Sequence, residues 1–180
     1  MSLHPVLAVL TLVGLQRLAE LAYSRRTTAR LLASGGRLVR PDGMAAIVAV
    51  HATWFAACLL EAGLRGVAFG WWTWAGAALF AAGQALRAWS MVHLGPRWST
   101  RVVVLPQRPL VASGPYRFLR HPIYVGVFLE LLGLPLAFGL PYAAAGVAAI
   151  HLVALRHRLR LEERALGLAA QPAAPAPAVR

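Results

Sequence analysis

The sequence predicts an all-α polytopic membrane protein of about five transmembrane helices, with a C-terminal helical hairpin. Three observations predict it. The chain is 59% hydrophobic and only 13% charged, with a mean hydropathy of +0.61. A soluble domain of 180 residues cannot normally hide that much apolar surface. The apolar residues gather into five segments, at 3–23, 44–61, 70–92, 123–138 and 141–155, and most arginines fall between them.

A spanning helix needs roughly 20 apolar residues, within a range of about 17–25. The first three segments meet that length. The last two are shorter, and Gly139, Leu140 and Pro141 join them. A turn that tight permits only an antiparallel helical hairpin. Spans this short tilt little or thin the bilayer locally.

Arginine placement sets the expected orientation. Arg25, Arg26, Arg30, Arg37 and Arg40 follow the first segment, and Arg97, Arg101, Arg108, Arg117 and Arg120 follow the third. Arg156, Arg158, Arg160 and Arg164 follow the fifth, whereas the opposite side holds only Arg65. The alternation places the N-terminus outside and the C-terminus in the cytoplasm. The first apolar stretch lacks a basic n-region and a small-residue cleavage site, so no cleavable signal peptide is expected. Residues 1–92 form an N-terminal three-helix membrane region. Residues 93–170 hold a connecting loop, the hairpin and a juxtamembrane helix. Residues 171–180 form a Pro/Ala-rich tail expected to be disordered.

The formal net charge is +12, and every basic residue is arginine. A GC-rich coding sequence accounts for that bias. Arginines spread between apolar segments point to anionic membrane lipids as partners and not to nucleic acid. Cys58 stands alone in an apolar run and is read as a small buried hydrophobe.

Charges within a span cost about 2.5–3.5 kcal/mol each on insertion scales, so they are paired or functional. Arg17 and Glu20 lie three apart and share a helix face. Arg87 is within reach of Glu20 or Glu130 from neighbouring helices. Glu61 is expected at the outer interface. Glu130 has no basic residue three or four positions away, so it takes a partner from another helix or belongs to a site; it is a candidate substrate contact. His51 and His151 share no ligand spacing, and no HxxxH or HExxH occurs, so no metal is expected. No GxGxxG after a strand, no P-loop and no GxSxG occurs either.

The densest chemistry is GPYRFLRHPIYVGVFLE, at 114–130. It sets Tyr116, Arg120, His121 and Tyr124 against the start of an apolar helix. A second polar cluster, RLRLEE, at 158–163, closes the following segment. Arg158 and Glu162 lie four apart and share a face. Two polar ends of one hairpin, meeting on one side of a membrane, build a site for a charged cofactor beside lipid. The plainer reading of the second cluster is a solvated juxtamembrane helix.

With VASGPYRFLRHPIY at 111–124 and RLRLEERAL at 158–166, the chain resembles the isoprenylcysteine carboxyl methyltransferase family of integral membrane methyltransferases. QRLAELAYSRR at 16–26, Gly35–Gly36 and the 86–106 stretch are similar to a bacterial branch whose members often methylate alkylpyrones or alkylresorcinols. The resemblance implies S-adenosyl-L-methionine bound on the cytoplasmic side of a bacterial inner membrane. The matching cofactor positions are Arg108, Pro109, Leu110 and Val111 in a strand-like connecting loop, then Tyr116, His121, Pro122, Ile123, Tyr124 and Glu162. Arg108 departs from the family's pattern. Arg158 matches the catalytic, substrate-facing position. The implied acceptor is a lipophilic small molecule or prenylated substrate, methylated on a carboxylate, enol or phenol oxygen. Four other readings remain open: an N-methyltransferase of phospholipids or amines, a nicotinamide-dependent membrane reductase, a membrane scaffold and a small transporter. The arginine-rich rim disfavours a cationic acceptor, and no paired broken helices suggest a transporter.

Overall fold

The computed structural model describes residues 3–106 and 108–167. The predicted Pro/Ala tail lies outside them. Five long helices make up most of the molecule: α1 (His4–Ala33), α2 (Met44–Arg65), α3 (Trp71–Leu94), α4 (Pro122–Ala137) and α5 (Pro141–Ala165). Two residue pairs form a small antiparallel ladder, β1 (Arg37–Leu38) against β2 (Val103–Val104), with Arg37 opposite Val104. The strand-like stretch expected at 108–111 is irregular, and the strand lies earlier, where consecutive valines fit a pleated edge.

Two helices, α1 and α2, are long and apolar enough to cross a membrane. Their outward faces carry Leu7, Leu12, Leu15 and Leu18, then Val48, Leu59, Leu60 and Leu64, all exposed. Helix α4 is apolar but shorter. Helix α1 runs ten residues past the end of its apolar segment, to Ala33. Polar contacts on that extension replace lipid. Ser24 Oγ lies 2.8 Å from Thr100 Oγ1 and accepts from the Thr100 amide, and Thr28 Oγ1 lies 2.7 Å from Ser99 Oγ.

Helices α3 and α4 pack most intimately, and glycine is the reason. Gly76 meets Gly133, and Gly83 meets Gly126, one heptad apart on antiparallel axes. A Cβ on Gly83 would sit 2.6 Å from the Gly126 carbonyl oxygen, and one on Gly133 would sit 2.7 Å from that of Gly76. Only glycine permits that approach, the device by which helices associate where apolar burial gives no drive. The apolar core gathers Val6, Val13, Trp54, Leu131, Leu134 and Val147 from α1, α2, α4 and α5. Cys58 is buried in it, as read from the sequence.

Proline shapes the hairpin. Pro122 and Pro141 open α4 and α5, where no N–H is needed. Pro135 lies inside α4 and supplies no donor to the carbonyl four residues back, Leu131. The buried Trp54 indole N–H of α2 takes that role, at 2.9 Å. Glu61 is buried rather than interfacial. Its carboxylate accepts from the amides of Tyr142 (3.3 Å) and Ala143 (2.6 Å), capping α5 from another helix.

Candidate functional site

The ends of α1, α3, α4 and α5 that carry the arginines converge with the start of α2. Gly114, at φ +58°, seats its turn directly against the His93 ring of α3, where a Cβ would fall 2.4 Å from a ring carbon. That turn leads into Tyr116 and then His121 at the mouth of α4.

There the two sequence clusters meet. The Tyr124 hydroxyl donates to Glu162 Oε2 at 2.6 Å and accepts from Arg158 Nε at 2.8 Å. His121 Nε2 lies 3.2 Å from Glu163 Oε1, and its Nδ1 lies 4.0 Å from Glu162 Oε1. The His121 and Tyr124 rings lean together with centroids 5.8 Å apart.

Arg158 is buried, and all three guanidinium nitrogens already donate within the protein. Besides Tyr124, Nη1 reaches the Asp42 carbonyl at 2.7 Å and Nη2 the Thr100 carbonyl at 2.5 Å. It ties α5 to the loop before α2 and the loop after α3. Asp42 and Thr100 carry no motif and pass unnoticed in the sequence; they matter through their backbone oxygens. Asp42 also forms an ion pair with Arg101.

A cavity of about 180 Å³ adjoins this cluster. Arg108, Pro109, Leu110 and Val111 line one wall, and Glu162 another. Arg97, from the turn after α3, also lines it and fixes the first wall by donating to the Pro109 carbonyl at 2.7 Å. Burial first, and then the Glu162 carboxylate, push the Tyr116 hydroxyl above the ordinary phenol range, against a weaker opposing contact with Ser90. Tyr116 is therefore a neutral hydroxyl at physiological pH. Pro122 is buried beneath the cluster, and Ile123 packs against the apolar core.

Glu130 is not part of this assembly. It lies two turns deeper, only 3% exposed, and pairs with Arg17 of α1 and Arg87 of α3. Arg87 Nη2 also reaches Glu20 at 2.5 Å, and Arg17 Nη1 reaches the same carboxylate at 2.8 Å. The partner that the sequence demanded for Glu130 thus comes from two other helices.

A family model described as the isoprenylcysteine carboxyl methyltransferase (ICMT) family matches residues 76–168, just over half of the chain. The chain belongs to that family. The match begins within α3 and takes in both polar clusters and the cavity wall between them. An uncharacterized protein, YpbQ, of Bacillus subtilis (strain 168) is 30% identical over 159 residues, covering 88% of this chain and 94% of its own. An uncharacterized protein of Haemophilus influenzae (strain ATCC 51907 / DSM 11121 / KW20 / Rd) is 25% identical over 151 residues, covering 83% and 88%. No solved structure matches the chain. Family and apolar helices together mark a membrane protein of a methyltransferase family.

Proposed function

We propose that the protein is an S-adenosyl-L-methionine-dependent methyltransferase that methylates an oxygen of a lipophilic acceptor at the cytoplasmic face of the membrane. The observation that carries this reading is the Tyr124–Glu162 hydrogen bond, which joins two motifs 38 positions apart beside the cavity.

The residues present fit that cofactor by their chemistry. Glu162 offers a carboxylate to an ammonium or to ribose hydroxyls. Arg97 and Arg108 offer charge to a carboxylate, and Leu110 and Val111 offer apolar surface to an adenine. Bound there, S-adenosyl-L-methionine would supply a methyl group made electrophilic by its sulfonium. The chain's own residues then align and exclude water. Tyr124 holds Glu162 in one orientation, and Arg158 holds Tyr124. Arg158 is thus a positioning residue in this reading, because each of its three guanidinium nitrogens donates within the protein. His121 is held in turn by Glu163. The half-buried Tyr116, a neutral hydroxyl at physiological pH, remains a donor.

The five-span arrangement with the C-terminus cytoplasmic belongs to the same reading. Exposed Trp71, Trp74 and Tyr142 ring the end opposite the arginines, as interfacial aromatics do. By its excess of arginine, the other end faces the cytoplasm in this reading.

Calorimetry of S-adenosyl-L-methionine binding to detergent-purified protein tests the proposal. Binding that falls in folded Glu162→Ala and His121→Ala variants supports it. No binding by folded wild type, in lipid as in detergent, refutes it.

A further inference from the structure

A second cavity, of about 310 Å³, opens between α1 and α3 and belongs to no part of the site above. The backbones of these helices stand apart, and long polar side chains bridge the gap. Gln16 and Glu20 line it from α1, and Gln84 and Arg87 from α3. Toward the arginine-rich end the lining becomes apolar, with Ala88, Met91 and Val92. Ala88 and Val92 are exposed, so the groove opens sideways.

The polar floor has a defined charge. Each carboxylate, Glu20 and Glu130, pairs with both Arg17 and Arg87. Two cations and two anions close a neutral ring. Above it the Gln16 and Gln84 amides donate to each other reciprocally, at 2.9 and 3.0 Å, and Gln16 also donates to Glu20 at 3.1 Å. Arg87 Nε is buried with no acceptor among the described residues.

We infer that this groove binds a membrane amphiphile with a neutral, hydroxyl-bearing head, its tail leaving sideways past the exposed Ala88 and Val92 into lipid. A carboxylate head would add a third anion to a balanced ring, and an ammonium head a third cation; both are disfavoured away from water. A bare alkyl chain would leave the amide and carboxylate groups facing hydrocarbon. A hydroxyl donates to Glu20 and accepts from the Gln84 amide, adding no charge. The inference rests on the membrane placement proposed above but not on methyl transfer.

The test uses the full chain in lipid nanodiscs. The probe is a long-chain alkylphenol with a photoreactive diazirine in its tail, and labelled peptides are mapped by mass spectrometry. Labels are expected on residues 84–92 and 12–20. Unlabelled alkylphenol should compete at least about tenfold better than the fatty acid or alkylammonium of equal chain length. Ala88→Trp and, independently, Val92→Trp fill the groove from its exposed side and should cut labelling at least about tenfold. Calorimetric binding of S-adenosyl-L-methionine in the same samples separates the two proposals. Labelling lost in the tryptophan variants with cofactor binding kept supports the groove. Labelling kept in wild type without cofactor binding refutes the transferase reading and leaves the groove standing. Equal competition by all three heads, or unchanged labelling in both variants, overturns the inference.

Discussion

The molecule carries two polar clusters built on opposite principles. The cluster of His121, Tyr124, Arg158 and Glu162 sits at the mouth of the hairpin, beside a cavity. The ring of Arg17, Glu20, Arg87 and Glu130 sits within the helices, closed upon itself. The first keeps acceptors available: Glu162 has one partner at hydrogen-bond distance and faces the cavity. The second spends each carboxylate on two guanidiniums. A cluster that binds a charged ligand holds a charge in reserve, whereas one that ties helices together leaves no charge uncompensated and suits only a neutral head.

The sharpest way to break this comparison is to delete one anion from the closed ring. Glu130→Ala strands Arg17 and Arg87 with one carboxylate between them. Removing one partner of a buried pair costs about 3–5 kcal/mol, so this substitution should destabilise the protein more than any change at the hairpin mouth. Unfolding in mixed micelles, followed by circular dichroism, checks it. A loss below about 1 kcal/mol would show the ring to be well hydrated and hardly structural.

Glu162→Gln should do the reverse. It keeps an acceptor for Tyr124 and removes the charge that a cationic ligand would meet. The expected outcome is unfolding like wild type with S-adenosyl-L-methionine binding about tenfold to hundredfold weaker, the value of a charged hydrogen bond of about 1.5–3 kcal/mol. Arg158→Lys sharpens the point. Lysine cannot serve three acceptors along the directions of the guanidinium fork. If Arg158 acts by positioning, this variant weakens binding through Tyr124 and loosens the 98–102 loop together, visible as faster hydrogen exchange there.

These clusters differed in how far the sequence disclosed them. The first was legible because each half is a local motif: Arg-His-Pro-x-Tyr at a helix mouth, and Arg158 and Glu162 one turn apart. The Arg17–Glu20 pair was legible for the same reason. The sequence puts Arg87 within reach of Glu20 or Glu130, and it pairs with both; the Arg17–Glu130 contact that closes the ring was hidden, because it forms only through the packing of α1 beside α4. The anchoring of Arg158 met the same limit: besides the Tyr124 hydroxyl, its acceptors are the carbonyls of Asp42 and Thr100, and backbone oxygens leave no trace in residue identity. Glu61 looked interfacial because it ends an apolar segment. Its buried place follows from the bare N-terminus of α5, which no helix of its own serves.

Glycine spacing was legible in principle and overlooked. Gly76 and Gly83 on α3 match Gly126 and Gly133 on α4 in antiparallel register. Gly83→Val would push a methyl group into the Gly126 carbonyl. Overpacking of this kind costs about 1–3 kcal/mol, and the displaced α4 should carry Glu130 away from Arg87. The same unfolding assay should rank this variant below Glu130→Ala. A variant as stable as wild type would mean that α3 and α4 can separate without loss.

The smallest expected effect isolates a single hydrogen bond. Trp54 is buried, and its indole N–H meets the Leu131 carbonyl, which Pro135 leaves without a helical donor. Trp54→Phe removes the donor and leaves that carbonyl unsatisfied, a cost of about 1–3 kcal/mol before the lost ring volume is added. Pro135→Ala gives α4 its own N–H at the required position. In that background Trp54→Phe should therefore cost less. The double-mutant cycle subtracts the volume lost at each site alone, so a coupling of about 1 kcal/mol would measure the interhelical bond itself. Additive costs would instead mean that packing, and not the hydrogen bond, fixes Trp54 against α4. The two polar clusters and the Glu61 cap of α5 would then be the main directional links between the N-terminal helices and the hairpin.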